Sequence, residues 1–332
     1  MEKLNTTQIK EFQEKFFGLE AEIGKAIVGY REIIRDTLIC FFAGGNLLIE
    51  SSPGLGKTLL VKTLSRVVDL KFSRIQFTPD LMPADILGTN IVTDGSDGKR
   101  HFEFQKGPLF TQLLLADEIN RATPKTQSAL LEAMQERRVT VAGKTFDLDK
   151  PYFVVATQNP QDSEGTYSMP EAQLDRFFFK LVLGKPKIDA LRSISQRASA
   201  DADVELKQVI DAKGAERFKE MVLNIEAPKP VRHYAIKLIL LTHPSSEMSL
   251  EAARKYLRYG ASPRGVQALI LGAKVNALIG GRGVAEPHDV AAVASQVLGH
   301  RLMLNFEGEA EGVSPAQLIG DALKSKSLSD VA

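Results

Sequence analysis

Short apolar runs alternate with helix-like segments along the first half of the chain. From Thr7 to Phe42 the apolar residues Ile23, Ile27, Ile33, Ile34 and Leu38 recur at helical spacing, and the turn signal Val28-Gly29-Tyr30 divides two segments. Leu47-Leu48-Ile49 reads as a buried strand, and Leu59-Leu60-Val61 lies in a helix running to Val68. A second strand is expected at Phe72 to Thr78, then a short helix from Pro83 to Leu87. Two β-like runs, Asn90 to Val92 and His101 to Gln105, flank Asp94-Gly95-Ser96-Asp97-Gly98 and predict an inserted hairpin. Leu113 to Ala116 is a further buried strand. Thr123 as N-cap, with Pro124 at the first helical position, opens a helix through Glu136. Val139-Thr140-Val141 and Thr145 to Leu148 around Ala142-Gly143-Lys144 predict a second hairpin, and strands follow at Tyr152 to Ala156 and Phe177 to Leu183.

Short strands that are apolar on both faces, interleaved with helices, predict an α/β domain built on a parallel sheet covered on both sides. That domain, N-terminal helices included, spans residues 1–185. Gly184-Lys185-Pro186-Lys187 breaks the pattern and opens a linker, 186–205. Helical stretches at Gly214 to Ile225, Val231 to Thr242, Pro263 to Ile279 and Pro287 to Met303 then predict a smaller all-helical domain over 206–306. The remainder, 307–332, reads as a tail that starts in the acidic, flexible Glu307-Gly308-Glu309-Ala310-Glu311-Gly312.

Composition narrows the function classes. The chain has 332 residues, of which 44% are hydrophobic and 25% charged, the make-up of an ordinary globular protein. A formal net charge of +1 gives no broad field to draw in nucleic acid or an anionic membrane. The start, Met1 to Thr7, lacks a secretory pattern, and no apolar run approaches the roughly 20 residues that span a bilayer, so a cytoplasmic location without membrane insertion is expected. The single cysteine, Cys40, sits in an apolar stretch and reads as a buried thiol, so no disulfide is expected. Five histidines, His101, His233, His243, His288 and His300, show no metal-ligand spacing.

The candidate chemistry lies just after strands, where ligands sit in parallel α/β sheets. Ser51-Ser52-Pro53-Gly54-Leu55-Gly56-Lys57-Thr58 reads as a phosphate-binding loop, although Ser51 stands where the strict G-x-x-x-x-G-K-[ST] pattern has glycine. Gly54 and Gly56 let backbone amides turn onto phosphates, the helix start adds its positive end, and Lys57 and Thr58 add an ammonium and a hydroxyl. Asp117-Glu118 closes the strand Leu113 to Ala116. Asp117 is suited to hold magnesium beside the Thr58 hydroxyl, and Glu118 to polarise an attacking water. Asn159, after Tyr152 to Ala156, offers an amide for that water or a γ-phosphate. Two arginines are candidates for the positive charge that phosphoryl transfer needs. Arg176, before an apolar strand, reads either as such a charge or as a surface residue paired with Asp175 or Asp162. Arg264, at a helix start in Ser262-Pro263-Arg264-Gly265, opposes the helix dipole and suggests an anionic partner.

With these residues in view, the chain resembles the MoxR family of AAA+ ATPases over roughly Glu20 to Asn305. Ser52 to Thr58 matches Walker A, Leu115 to Ala122 matches Walker B, and Ala156-Thr157-Gln158-Asn159-Pro160 matches sensor 1. Pro170 to Phe177 and Ser262-Pro263-Arg264-Gly265 complete the set. The resemblance implies a P-loop sheet core carrying a helix-2 insert and a pre-sensor-1 hairpin, followed by a helical lid. It implies ATP or ADP with Mg2+ as ligands, held by Pro53, Gly54, Leu55, Gly56, Lys57, Thr58 and Leu59, with Val28-Gly29 at the adenine. It gives Arg176 the role of an arginine finger acting across a subunit interface, and Arg264 that of sensor 2 reaching the bound nucleotide from the lid. A homo-oligomeric, hexameric ring is implied, with a chaperone-like role in maturing a client protein and a von Willebrand factor A domain partner. A DNA-acting motor related to MCM helicases and the ATPase subunit of a metal chelatase are the alternatives, and near-neutral charge with no separate DNA-binding domain disfavours the first.

Overall fold

The computed structural model describes residues 4–94, 100–160, 166–198 and 204–329. Residues 95–98 of the expected hairpin turn, Asp162, residues 199–203 of the expected linker and 330–332 of the expected tail lie outside the described residues. Two N-terminal helices, α1 (Thr6–Ala26) and α2 (Arg31–Phe42), precede β1 (Leu47–Ser51), α3 (Lys57–Val67) and β2 (Phe72–Gln76). A short helix α4 (Pro83–Leu87) leads into the hairpin β3 (Gly88–Asp94) and β4 (Arg100–Lys106), then β5 (Leu113–Asp117) and α5 (Pro124–Glu136). The second hairpin, β6 (Arg138–Val141) and β7 (Lys144–Asp147), precedes β8 (Phe153–Gln158), α6 (Glu171–Leu174), β9 (Phe179–Leu183) and α7 (Ile188–Ala198). The sequence places both hairpins and each central strand within a few residues of these bounds. It misses α7, which lies inside the stretch expected to be a linker.

Five strands make one parallel sheet in the order β2-β5-β8-β1-β9. Successive side chains on a strand face opposite sides, so the runs split between two cores. Leu47, Ile49, Leu113, Leu115, Phe153, Val155, Phe179 and Leu181 join a core with α1, α2, α3 and the C-terminal helices. Leu48, Leu114, Ala116, Val154 and Ala156 face the other way, into a core with Leu130, Leu131 and Met134 of α5. The inner strands β1, β5 and β8 need apolar residues on both faces, which is why the sequence shows runs there, whereas the edge strands β2 and β9 are more polar or alternate.

The C-terminal region comprises α8 (Ala212–Asn224), α9 (Lys229–Leu241), α10 (Glu251–Tyr256), β10 (Leu257–Tyr259), α11 (Pro263–Ile279), α12 (Pro287–Leu298), β11 (Met303–Leu304), α13 (Phe306–Ala310), α14 (Pro315–Leu323) and α15 (Lys326–Ser329). It is helical apart from the small antiparallel pair β10–β11, which ends the last predicted helix short of Met303. The acidic segment after Phe306 is not a flexible tail. Asn305 Oδ1 caps α13 by accepting from the Gly308 amide at 2.9 Å, and Lys255 Nζ lies 3.1 Å from Glu307 and 3.2 Å from Glu311. Leu318, Ile319 and Ala322 of α14 and the later Leu328 are buried in the same core as the lid helices.

The lid is bound to the sheet domain by aromatic packing. The Phe218 ring of α8 meets Phe12 of α1 edge-on at 5.4 Å and Phe42 of α2 at 6.1 Å. Phe42 also touches Phe12, Phe16 and Phe41, so truncating it to alanine would cost about 3–5 kcal/mol. Gln13 of α1 adds a hydrogen bond to the Ile279 carbonyl at 2.8 Å, at the end of α11.

Candidate active site

The phosphate-binding loop turns between β1 and α3. Gly54 and Gly56 have φ of 79° and 85°, the left-handed region that a side chain resists. No Cβ clash explains them, since an added Cβ at either would meet nothing within 4 Å. The need is for the turn itself. Gly56 is the N-cap of α3 and supplies no side-chain cap, so the amides of the first turn point outward without a partner from the helix. Lys57 is buried, with Nζ on the Ser51 carbonyl at 3.3 Å, and Thr58 follows half-buried. Ser51, the residue that departs from the loop pattern, is buried, and its hydroxyl bonds the Ser52 carbonyl at 3.1 Å. The turn accepts this side chain without displacing the loop glycines.

Two strands away, β5 ends in Asp117. Strands lie about 4.8 Å apart, so β1 and β5, separated by β8, stand roughly 10 Å apart, a span that a triphosphate with its cation bridges. Thr157 of β8 sits between them. Its Oγ1 donates to Asp117 Oδ1 at 2.6 Å and accepts from the Glu118 amide at 2.9 Å. Glu118 adopts φ 57°, ψ 48°, a left-handed conformation that costs a non-glycine residue roughly 1–2 kcal/mol and swings its carboxylate off the strand axis. That carboxylate accepts from Gln76 Nε2 at 2.8 Å and Arg121 Nη1 at 3.1 Å. Asp117 Oδ2 is held by Arg74 Nη2 at 2.7 Å. Asn159 is buried at the end of the same strand as Thr157. The sequence reading misses Arg74, Gln76, Arg121 and Thr157. Thr157 stands inside the sensor 1 match and Arg121 inside the Walker B match, but neither is given a role of its own there.

The donor set fits a magnesium nucleoside triphosphate: uncapped amides, a buried ammonium, and Asp117 with Thr58 as hard oxygen ligands. Among the described residues no cluster of three or more His, Cys, Asp or Glu is present, and magnesium bound with phosphates needs only one or two carboxylates. Val28 and Gly29 line a cleft of about 520 Å³ with Phe17, Gly24, Ile27 and Ser193, large enough for a nucleobase. Gly29 is required there, because a Cβ would lie 2.4 Å from the Ala190 Cβ of α7. Leu59 is half exposed at the start of α3.

Arg176 and Arg264 are elsewhere. Both line a small cleft of about 130 Å³ with Asn46, Met134 and Gln135. Asn46 immediately precedes β1, whereas the phosphate loop follows it, and five strand residues put roughly 17 Å between the two. Arg264 thus lies toward the end of the sheet opposite the phosphate loop of its own chain. The cause is visible in its partners: Arg264 Nη1 lies 3.3 Å from Asp175 Oδ2, and the lid packs on the entry to β9. Asp175 turns to Arg264 and Arg301 and not to Arg176, whose Nε is buried without a hydrogen-bond partner.

A five-stranded parallel sheet with a phosphate loop after β1, an Asp-Glu pair after β5, two inserted hairpins and a helical lid defines an AAA+ ATPase fold. Residues 46–179 match the family described as "ATPase family associated with various cellular activities (AAA)", and residues 250–322 match the AAA lid domain. The chain belongs to the MoxR family of AAA+ ATPases. It is 39% identical to Chaperone MoxR1 of Mycobacterium tuberculosis over 93% of this chain and 81% of that one. Identity to Protein MoxR of Paracoccus denitrificans is 28%, over 93% of this chain and 95% of that one. The crystal structure of a candidate ATPase from Cytophaga hutchinsonii superposes with a TM-score of 0.88 at 39% identity, covering 96% of both chains. No helix among the described residues is long and apolar enough to cross a membrane.

Proposed function

We propose that the chain is the ATP-hydrolysing subunit of a closed ring, most simply a hexamer, in which each active site is shared by two neighbours. The observation that carries this reading is the separation of the phosphate loop from Arg176 and Arg264 along one sheet. Head-to-tail packing of identical chains brings the arginine end of one subunit against the phosphate end of the next, and a rotation that closes gives a ring.

In that site the first-turn amides of α3 and Lys57 hold the β- and γ-phosphates, and Thr58 with Asp117 holds Mg2+. The cation neutralises charge on the transferring group when bound. Glu118 orients and polarises the attacking water, and Asn159 contacts that water or the γ-phosphate. Arg176 of the neighbour stabilises the charge that develops in transfer, a contribution that for such fingers amounts to roughly 10³ to 10⁵ in rate. Arg264 comes with it from the same face. Val28 and Gly29 take the adenine. Relative motion of core and lid is then coupled to remodelling of a client protein, in keeping with a relative named as a chaperone, and a von Willebrand factor A domain protein is the proposed partner.

Turnover per subunit should rise steeply with protein concentration as the shared sites assemble. Glu118→Gln should bind ATP and hydrolyse little, and Arg176→Ala should lose turnover while keeping nucleotide affinity. Concentration-independent turnover, or normal rates in both variants, refutes the shared site. Pull-down with the Glu118→Gln form loaded with ATP reads the client and partner.

A further inference from the structure

The residue before Arg176 is the point at which the lid grips the sheet domain. Asp175 Oδ1 accepts from Arg301 Nε at 2.9 Å, while Oδ2 accepts from the Ser262 hydroxyl at 2.8 Å and from Arg264 Nη1 at 3.3 Å. All three donors belong to the lid. Arg301 is almost wholly buried, its side chain 3% exposed, and its other nitrogens go to main-chain carbonyls, one of them that of Val297 in α12 and the rest on both sides of Arg176. Nη2 donates to the Phe177 carbonyl at 2.7 Å and the Asp175 carbonyl at 3.1 Å, and Nη1 to the Phe178 carbonyl at 3.2 Å. His300 Nε2 lies 3.0 Å from the same Phe177 carbonyl.

The amides of this segment are satisfied locally, those of Asp175, Arg176 and Phe177 donating to the Glu171, Gln173 and Leu174 carbonyls at 2.9, 3.2 and 3.0 Å, so Arg301 adds partners on the carbonyl side. Residues 175–178 lie between the one-turn helix α6 and the start of β9, with Phe178 tied to β1 by a single amide bond to Asn46 at 2.8 Å. The carbonyl side of this turn is held from the lid, since Arg301 takes the Asp175, Phe177 and Phe178 carbonyls, and the turn that carries Arg176 is thereby fastened to the lid. Removing the Asp175 charge would leave Arg301 buried beside fewer acceptors, a costly arrangement that the segment relieves by shifting.

We infer that Asp175 is a positioning residue for the arginine finger, and that through Arg301, Ser262 and Arg264 it makes the lid and Arg176 of one subunit a single body whose placement governs hydrolysis in the neighbouring subunit's site. This rests on the shared-site reading above. It goes beyond it by assigning the lid a part in the neighbour's chemistry, through a contact made within one chain.

The test is mixing of two impaired variants. Asp175→Asn alone should turn over at least tenfold more slowly with the KM for ATP changed less than threefold. Glu118→Gln is defective in the part of the site that each subunit provides for itself, so an equal mixture of it with Asp175→Asn forms some interfaces in which both halves are intact, roughly a quarter under random assembly. Recovery of turnover in the mixture, to that order of the wild-type rate, is the expected result, and it also shows that the Asp175→Asn chain folds and assembles. The mixture of Arg176→Ala with Glu118→Gln is the control for the shared site itself. Silence in that control overturns the shared-site reading. Recovery in the control with silence in the Asp175→Asn mixture overturns this inference alone, as does an Asp175→Asn rate within twofold of wild type. Should Asp175→Asn yield no folded protein, Ser262→Ala removes one donor and keeps the Arg301 pair. A severalfold lower kcat at unchanged KM, again rescued by mixing, supports the inference, and a wild-type kcat refutes it.

Discussion

Arg74 Nη2 sits 2.7 Å from Asp117 Oδ2, on the carboxylate oxygen that the Thr157 hydroxyl leaves free. The proposed magnesium ligand is thus paired with a guanidinium from the adjacent strand. Arg74 is about half exposed, 45% by side chain, so the pair is worth only about 0.5–1 kcal/mol after screening. Arg74→Met should lower the Mg2+ concentration that half-saturates ATP hydrolysis by roughly two- to fivefold, the same energy expressed as a ratio. A magnesium titration of steady-state turnover reads this. A rise in the requirement would mean that Arg74 supports the site and does not compete within it.

Thr157 serves both acids at once. Thr157→Val keeps the shape and leaves Asp117 Oδ1 and the Glu118 amide without their buried partner. Such a loss costs about 1–3 kcal/mol, on the order of tenfold to a hundredfold in rate if it falls on the transition state. Thr157→Ser retains the hydroxyl and should recover most of kcat. Equal damage in both variants would point to packing of the missing methyl.

How far this site can be read from the chain depends on whether its parts are near in sequence. The phosphate loop is eight consecutive residues, and Asp117-Glu118 directly follows an apolar run, so each carries its own signal. Gln76 and Thr157 acquire meaning only through sheet register. Gln76 pairs with Asp117, and pairing of Ala116 with Ala156 sets Thr157 beside Asp117. Arg264 is legible as a cation at a helix start, but the end of the sheet it occupies depends on the burial of Arg301 against the entry to β9. The acidic stretch after Phe306 looks solvated because Lys255 and Tyr256, which hold it, lie in a different helix. Fold class is easier, since every central strand announces itself as an apolar run.

Arg264 provides a third test. Its position with Asn46 at the far end of the sheet predicts that Arg264→Ala binds nucleotide normally in dilute, unassembled protein, whereas Lys57→Ala does not. Affinity for a fluorescent ATP analogue at low protein concentration distinguishes the two. Weakened binding in dilute Arg264→Ala would bring that arginine back to its own loop.

A last prediction concerns the joint between lid and sheet domain. Lys219 of α8 is buried with Nζ 4.5 Å over the Phe41 ring of α2 and 3.4 Å from Glu216, and it makes no hydrogen bond. Burial is the main cause that pushes its ammonium down to about 8 from 10.5, with nearby Arg137 acting the same way and Glu216 opposing. Between those two values the unfolded chain holds a proton that the folded chain has released. Stability therefore rises with pH across that window and is lost again as pH falls through 8, where the folded state carries a buried charge. A gap of that size corresponds to ~3 kcal/mol, partly offset by the ring contact. Lys219→Met fills the same space without the charge, so it should melt higher than wild type at pH 7, with the difference shrinking as pH approaches 10.5. Thermal melts of both proteins across that range provide the comparison. A difference that stays constant with pH would place the effect in packing, and a lower melting temperature at pH 7 would show that the ring and Glu216 contacts outweigh the cost of burial.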